Sequence, residues 1–325
     1  MEWMTHPWVE DGRGTIRLGV GVTSGAPAVD WPTRAATARA AEDLGVDSLW
    51  VADHPALAMD CWTTLAGLAA VTSRVRLGSL VSCVLYRSPW STARHAADVD
   101  RVSGGRLILG LGAGYARIEF EYLELPFPPP AERNRALKAT IEEVKRRWYG
   151  LPLEFVGSGA TLTTRGDAFR WPPVQEPRVP LLIGGAGEKV TLRRVAEYAD
   201  MCNIETSPVQ AGDARTAEDV RRKLDILRGY CEAIGRPYES IVRSHFLNQV
   251  VLAPTAERAQ RKREALPAIY RTVRTPRPLV DYYRPFLAAG VQYLIVNLAS
   301  HDDVETIELL IKQVLPELQG FAEAS

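Results

Sequence analysis

The chain has 325 residues, of which 46% are hydrophobic and 24% charged, with 39 Lys and Arg against 39 Asp and Glu. That composition belongs to a globular protein with a large core and excludes whole-chain disorder, and the balanced charge excludes a global field that would draw the protein to nucleic acid or an anionic membrane. No run approaches the roughly eighteen apolar residues of a membrane-spanning helix, and residues 1–7 lack the basic region and apolar run of a secretory signal.

In chain order, Ile16–Thr23 is a short apolar, β-branched run that reads as a first strand. A helix over Pro32–Leu44, stopped by Gly45, leads to a second strand at Ser48–Ala52. A helix over Cys61–Val71 and a strand at Val75–Val81 follow, then a helix over Ser91–Val102 and a strand at Leu107–Gly112. Glu121–Pro130 is aromatic and Pro-rich and reads as a loop, after which Glu132–Trp148 restores a helix. Leu151–Pro177 is an excursion with two β-like pieces, Leu153–Val156 and Thr161–Thr164. The strand at Pro180–Gly184 is followed by a helix over Glu188–Tyr198, a strand at Ala199–Ile204 and a helix over Ala217–Ile234. A strand at Ile241–Leu252, a charged helical stretch to about Tyr270, a helix over Leu279–Ala289, a strand at Val291–Leu298 and a helix over Asp303–Leu318 complete the chain.

Eight strands thus alternate with helices. Near-continuous apolar strands are buried on both faces, hence parallel, and eight βα units close into a (β/α)8 TIM barrel. An open doubly wound sheet is the rival, but takes fewer strands per domain and a break in composition that is absent here. The expectation is one α/β barrel domain over residues 1–325, with an N-terminal extension at 1–15 and an insertion at 151–178 between strands 4 and 5. Cys61, Cys83, Cys202 and Cys231 form no C-x-x-C pair and read as reduced thiols of a cytoplasmic protein. The five histidines show no metal-ligand spacing, so no metal is expected.

In such a barrel the active site lies just past the strands' C-terminal ends. After strand 2 comes Asp53-His54, where a histidine can move protons near neutral pH and a carboxylate can fix its tautomer; the alternative is a helix cap beside a packed loop histidine. After strand 4, Gly112-Ala113-Gly114 lets a planar ring or a phosphate approach the backbone, without matching a dinucleotide fingerprint. After strand 5, Gly184-Gly185-Ala186-Gly187 opens a helix and suits a phosphate or carboxylate, or is a bare tight turn. Ser103-Gly104-Gly105-Arg106 lies at the opposite end and reads as structural, Trp62 reads as core, and Trp3 and Trp8 are a lid, a partner contact or a tail packed on the barrel.

Taken together, Ser48–His54, Asp60–Ala66, Thr72–Ser79, Arg101–Arg106, Leu109–Gly114, Pro126–Arg133 and Pro180–Lys189 resemble the bacterial luciferase-like superfamily, in particular its branch using the deazaflavin coenzyme F420. The resemblance covers Ile16–Asn203 well and the C-terminal third weakly. It implies a TIM barrel with the insertion noted above and a cofactor ring laid against a bulge with a non-proline cis peptide at Leu80-Val81, next to Ser82. It further implies that His54 acts as proton donor or acceptor oriented by Asp53, that Gly112, Ala113 and Gly114 face the ring edge, and that Gly184 to Gly187 face the phosphate. F420 is the implied cofactor, with FMN, reduced by a partner flavin reductase for a monooxygenase, as the alternative. A barrel that binds flavin without catalysis is a third reading, which the intact Asp53-His54 pair disfavours. A small-molecule substrate and a homodimer, with no nucleic acid or membrane partner, are implied. Tyr115 stands where sugar-phosphate dehydrogenases of this branch carry an acid, which argues against such a substrate. Arg271, Arg274 and Arg277 make a basic loop that could rebuild the phosphate or substrate end.

Overall fold

Alternation along each strand divides its side chains between two environments. A computed structural model of the chain describes residues 3–22, 30–149, 155–157, 160–162, 172–205, 214–266 and 272–323. Its barrel strands are β1 (Arg17–Gly21), β2 (Ser48–Val51), β3 (Arg76–Ser79), β4 (Leu107–Gly112), β5 (Leu181–Gly184), β6 (Met201–Glu205), β7 (Val242–Leu252) and β8 (Tyr293–Leu298). Each pairs in parallel with its sequence neighbours, and β8 returns to β1, so the ring closes as a (β/α)8 barrel without a free edge. In β4, Leu107, Leu109 and Leu111 pack outward against the helices, while Ile108 joins Leu182, Met201, Val242 and Ile295 inside the barrel.

The helices include α1 (Pro7–Asp11), α2 (Trp31–Asp43), α3 (Cys61–Val71), α4 (Pro89–Ser103), α5 (Arg117–Tyr122), α6 (Pro130–Tyr149), α7 (Thr191–Tyr198), α8 (Ala217–Ala233), α9 (Ala256–Glu264), α10 (Pro276–Ala288), α11 (Val304–Leu309) and α12 (Leu315–Glu323). The side chains of Asp30, Asp60 and Ser88 accept backbone N–H groups at the starts of α2, α3 and α4, each cap being worth about 1 kcal/mol. Ser103-Gly104-Gly105-Arg106 is structural as expected. Gly104 ends α4 in the left-handed region at φ 68°, and the Arg106 guanidinium donates to the carbonyls of Ala69, Thr72 and Val75. Trp62 is buried and stacks on His95 with ring centroids 5.9 Å apart.

The last helix was expected to run unbroken from Asp303 to Leu318. Instead a π-turn, Leu310–Val314, separates α11 from α12. Pro316 explains it, because a proline lacks the N–H to bond a preceding carbonyl and its ring crowds that carbonyl. The helix expected from Glu188 begins only at Thr191, and the loop read at Glu121–Pro130 loses its first residues to α5 and its last to α6. Two strands of the excursion, Phe155–Gly157 and Ala160–Leu162, pair antiparallel where the expected β-like pieces lie.

The N-terminal segment is a tail packed on the barrel, one of the expected alternatives, and not a lid over its open end. Trp8 and Val9 of α1 are buried against the interior cluster at the N-terminal end of the barrel. The Arg17 guanidinium lies 4.5 Å from the Trp8 ring and donates to the Trp8 carbonyl at 3.0 Å. Tyr293 meets Trp8 edge-on and bonds Asp47 and Ser48. This plug closes one end of the barrel and leaves the other for a site. No helix among the described residues is long and apolar enough to cross a membrane.

Candidate active site

At the open end lies a cavity of about 560 Å³, within the range of small-molecule sites. Its floor is a break in β3. The chain leaves the strand at Ser79, passes a cis peptide at Leu80-Val81 as expected, and rejoins the sheet as Ser82–Cys83, which pairs with β4. The strand-end glycines make room for this bulge. A Cβ at Gly112 would stand 2.5 Å from a Val81 methyl, and one at Gly184 would stand 2.9 Å from another. Leu80 and Val81 thereby present an apolar wall to the cavity, edged by Gly112, Ala113, Gly114, Gly184, Gly185, Ala186 and Gly187, all of which line it. Of the sequence-expected residues, Ser82 is the exception. It is buried behind the wall, its hydroxyl donating to Asp53 at 3.1 Å.

His54 and Asp53 both border the cavity, but they do not pair. The His54 Nδ1 bonds Glu119 Oε1 at 2.7 Å, and the Tyr86 hydroxyl donates to Glu119 Oε2, also at 2.7 Å. Glu119 is 2% exposed, so both of its oxygens are committed inside the protein. With Nδ1 held by a carboxylate, Nε2 is the nitrogen left to exchange protons. Burial alone would lower the His54 pKa, but the hydrogen bond and charge of Glu119, helped by the charges of Asp53 and Glu205, outweigh it and raise the value above that of a free histidine. For Tyr86, burial comes first and the bond to Glu119 second, and both push its pKa upward and keep it a neutral donor.

Asp53 was expected to orient His54, and here the expectation fails. Its carboxylate accepts the Arg87 guanidinium at 2.6 and 3.2 Å, the Ser82 hydroxyl, and the Cys83 backbone N–H at 3.2 Å. Arg87 continues to Asp60, the cap of α3. Asp53 therefore staples the bulge to the neighbouring βα unit. Asp53 and His54 follow the end of β2, and in that loop their side chains reach different partners, Asp53 the bulge and Arg87, His54 Glu119.

At the β5 end, Gly185 adopts φ +106°, a conformation that a residue with a Cβ adopts only under strain. The turn is held from behind by Lys223 of α8, 1% exposed, which donates to the Ala186 carbonyl at 2.9 Å and to Glu188 at 3.1 Å. Opposite, Asn203, Glu205, Asn248, Gln249 and Asn297 complete the lining from β6 to β8. Gln249 sits at φ +55°, beside a register shift in β7. Sequence reading missed all of these, as well as Tyr86, Glu119 and Lys223. The basic loop does not reach the cavity where it is described. The Arg274 guanidinium lies 5.0 Å from the Tyr282 ring, and Arg277 reaches Asp281 and Glu317. Arg271 lies outside the described residues.

The family described as luciferase-like monooxygenase matches residues 15–293. The F420-dependent glucose-6-phosphate dehydrogenase of Amycolatopsis mediterranei is 25% identical over 315 residues, covering 86% of this chain and 92% of that protein. Against the F420-dependent tetrahydromethanopterin reductase of Methanopyrus kandleri the TM-score is 0.73 at 20% identity, over 94% of this chain and 99% of that one. A type II Baeyer-Villiger monooxygenase component of Pseudomonas putida, solved with FMN, gives 0.70 at 14% identity, over 93% of this chain and 98% of that one. The chain spans 66% of the length of the first mycobacterial relatives it matches, and 51% of another.

Proposed function

The chain belongs to the luciferase-like monooxygenase family, and we propose that within it the protein is an F420-dependent oxidoreductase acting on a small organic substrate. The observation that carries the reading is the His54–Glu119–Tyr86 array beside the Leu80-Val81 wall: a proton-exchanging group, buried support for its charge, and a flat apolar face in one cavity. The residues fit the cofactor. Leu80 and Val81 would take the face of a planar ring, Gly112 to Gly114 its edge, and the backbone of Gly184 to Gly187 a phosphate, with the Lys223 ammonium behind the turn. When bound, the deazaflavin supplies hydride exchange at its C5.

The chain's own share is orientation, exclusion of water and a proton route. His54 takes the hydroxyl proton at Nε2 as a substrate alcohol becomes a carbonyl, or returns it in the reverse direction. Glu119 holds Nδ1 and stabilises the imidazolium that results, while the Tyr86 hydroxyl holds Glu119 in place. Asp53 and Arg87 keep the wall in register with this array.

The test is a fluorescence-quenching titration of the purified protein with F420 and with FMN. F420 is expected to bind at least ten-fold more tightly, a difference of about 1.4 kcal/mol or more. Equal affinities, or a preference for FMN, would overturn the reading in favour of a flavin monooxygenase served by a reductase.

A further inference from the structure

The plug at the sealed end of the barrel is fastened by a histidine. We propose that His6 is an acid-sensitive latch: neutral, it locks residues 3–11 onto the barrel, and its protonation releases that segment while the barrel stays folded.

The two ring nitrogens carry the argument. Nδ1 accepts the backbone N–H of Trp8 at 3.1 Å, which caps α1, and Nε2 lies 2.8 Å from the Arg178 carbonyl, just ahead of β5. A backbone N–H only donates and a carbonyl only accepts, so these partners fix the tautomer: Nδ1 is bare and Nε2 carries the proton. His6 is 2% exposed. A second proton can go only onto Nδ1, where it would point at the Trp8 N–H. The cap is then lost, two donors face each other, and a charge appears away from water, each of which is costly.

The charged neighbours do not rescue the imidazolium. Asp200 acts in its favour, and Arg178 and Arg76 act against it. Asp200 already accepts the Arg178 guanidinium and, at 3.0 Å, the Leu181 N–H, and the charges of Lys145 and Arg236 also bear on it. Burial is the largest influence on His6 and lowers its pKa. The bond to the Arg178 carbonyl and the charge of Asp200 oppose burial without cancelling it, so the value stays below that of a free histidine. The sign follows from that direction. The latch is fully closed above the unfolded histidine value of about 6.5, and its hold is lost as pH falls through the folded value.

The part that lets go is small and moves as one. The His6 carbonyl accepts the N–H groups of Val9 at 2.8 Å and Glu10 at 3.2 Å, so the ring cannot lift into water without disturbing the first turn. With five residues, α1 is too short to persist apart from the barrel. The other fastenings of the segment hold side chains rather than the turn: Arg17 lies over the Trp8 ring, Arg236 over the Trp3 ring, and the Trp3 indole N–H donates to the Ile234 carbonyl at 3.4 Å.

The experiment follows the eight tryptophan indoles of the full chain by 15N NMR from about pH 8 downward, with Trp3 and Trp8 assigned from Trp3→Phe and Trp8→Phe spectra. The His6 ring is followed in the same samples. Below about pH 6.5, the Trp3 and Trp8 signals are expected to move to the free-indole position with the midpoint of the His6 ring, while the other six keep their native positions. In His6→Asn the side-chain oxygen can still cap α1 but does not titrate, so Trp3 and Trp8 should keep their native signals through the parent's transition. The co-titration in the parent decides the matter even if His6→Asn does not seat the segment. Three results would overturn the latch: a Trp8 signal that stays native until the barrel itself unfolds, a His6 ring that titrates while Trp8 does not move, or the same transition in His6→Asn, which would place the switch in a carboxylate such as Asp200.

Discussion

The two ends of the barrel are built from the same eight strands and solve opposite problems. At the N-terminal end the chain satisfies itself: Trp8 fills the bore, Arg17 stacks on it, and Tyr293 bonds both Asp47 and Ser48. At the C-terminal end glycines replace side chains, the wall breaks strand pairing at Leu80-Val81, and the polar groups of His54, Asn203, Asn297 and Glu205 border a cavity. One end spends its residues on packing and the other gives up packing for access. Substitutions at the two ends should therefore fail in different assays.

The largest effect is expected at the sealed end. Trp8→Ala removes a side chain that is 4% exposed and should lower folding stability by about 3–5 kcal/mol, measured by denaturant unfolding, while F420 affinity stays within two-fold. At the open end, His54→Asn should leave the protein folded, with only the loss of the pair with Glu119 to lower its stability, and cofactor affinity within a few-fold, yet lower kcat by about 100-fold on any active substrate. Near-normal turnover in a folded His54→Asn protein would remove His54 from the mechanism.

Asp53→Asn sharpens the comparison, because Asp53 does a packing residue's work at the catalytic end. It should weaken the clasp on Ser82, Cys83 and Arg87, lower stability by about 1–3 kcal/mol, and loosen cofactor binding more than it lowers kcat.

The smallest effect is a matter of pH. The His54 pKa is raised in the folded protein, so the pair with Glu119 stabilises the native state fully below the unfolded histidine value of about 6.5, and the contribution is lost as pH rises through the folded value. The stability deficit of Glu119→Gln should accordingly be larger at acidic than at alkaline pH, measured by unfolding across that window.

Much of this was legible in the residues. The eight strands followed from apolar runs bounded by glycines and helical spacing, and the strand-end glycines and His54 followed from placing function at the C-terminal face. The bulge came from resemblance, since nothing in the Leu80-Val81 pair itself announces it. Glu119 was not legible. It lies 65 positions from His54, among other acids at Glu121 and Glu124, in a six-residue helix too short for a periodic pattern. Only the fold decides that Glu119 and Phe120 turn inward while their neighbours face solvent. Asp53 misled for the complementary reason, since adjacency in sequence suggested a pairing, whereas its carboxylate is taken by Arg87, Ser82 and Cys83. The plug was legible in part: a tail packed on the barrel was one reading of Trp8, but that it fills the bore shows only when the barrel closes around it.

The pairing of His54 with Glu119 is central to the proton route, and it can be measured before any substrate is known. Titration of the His54 ring by NMR, in the parent protein and in Glu119→Gln, isolates it. The parent should give a pKa above the free-histidine value of about 6.5, and the variant, with burial left unopposed by its main partner, a lower value than the parent. Identical titration curves in the two proteins would contradict the account.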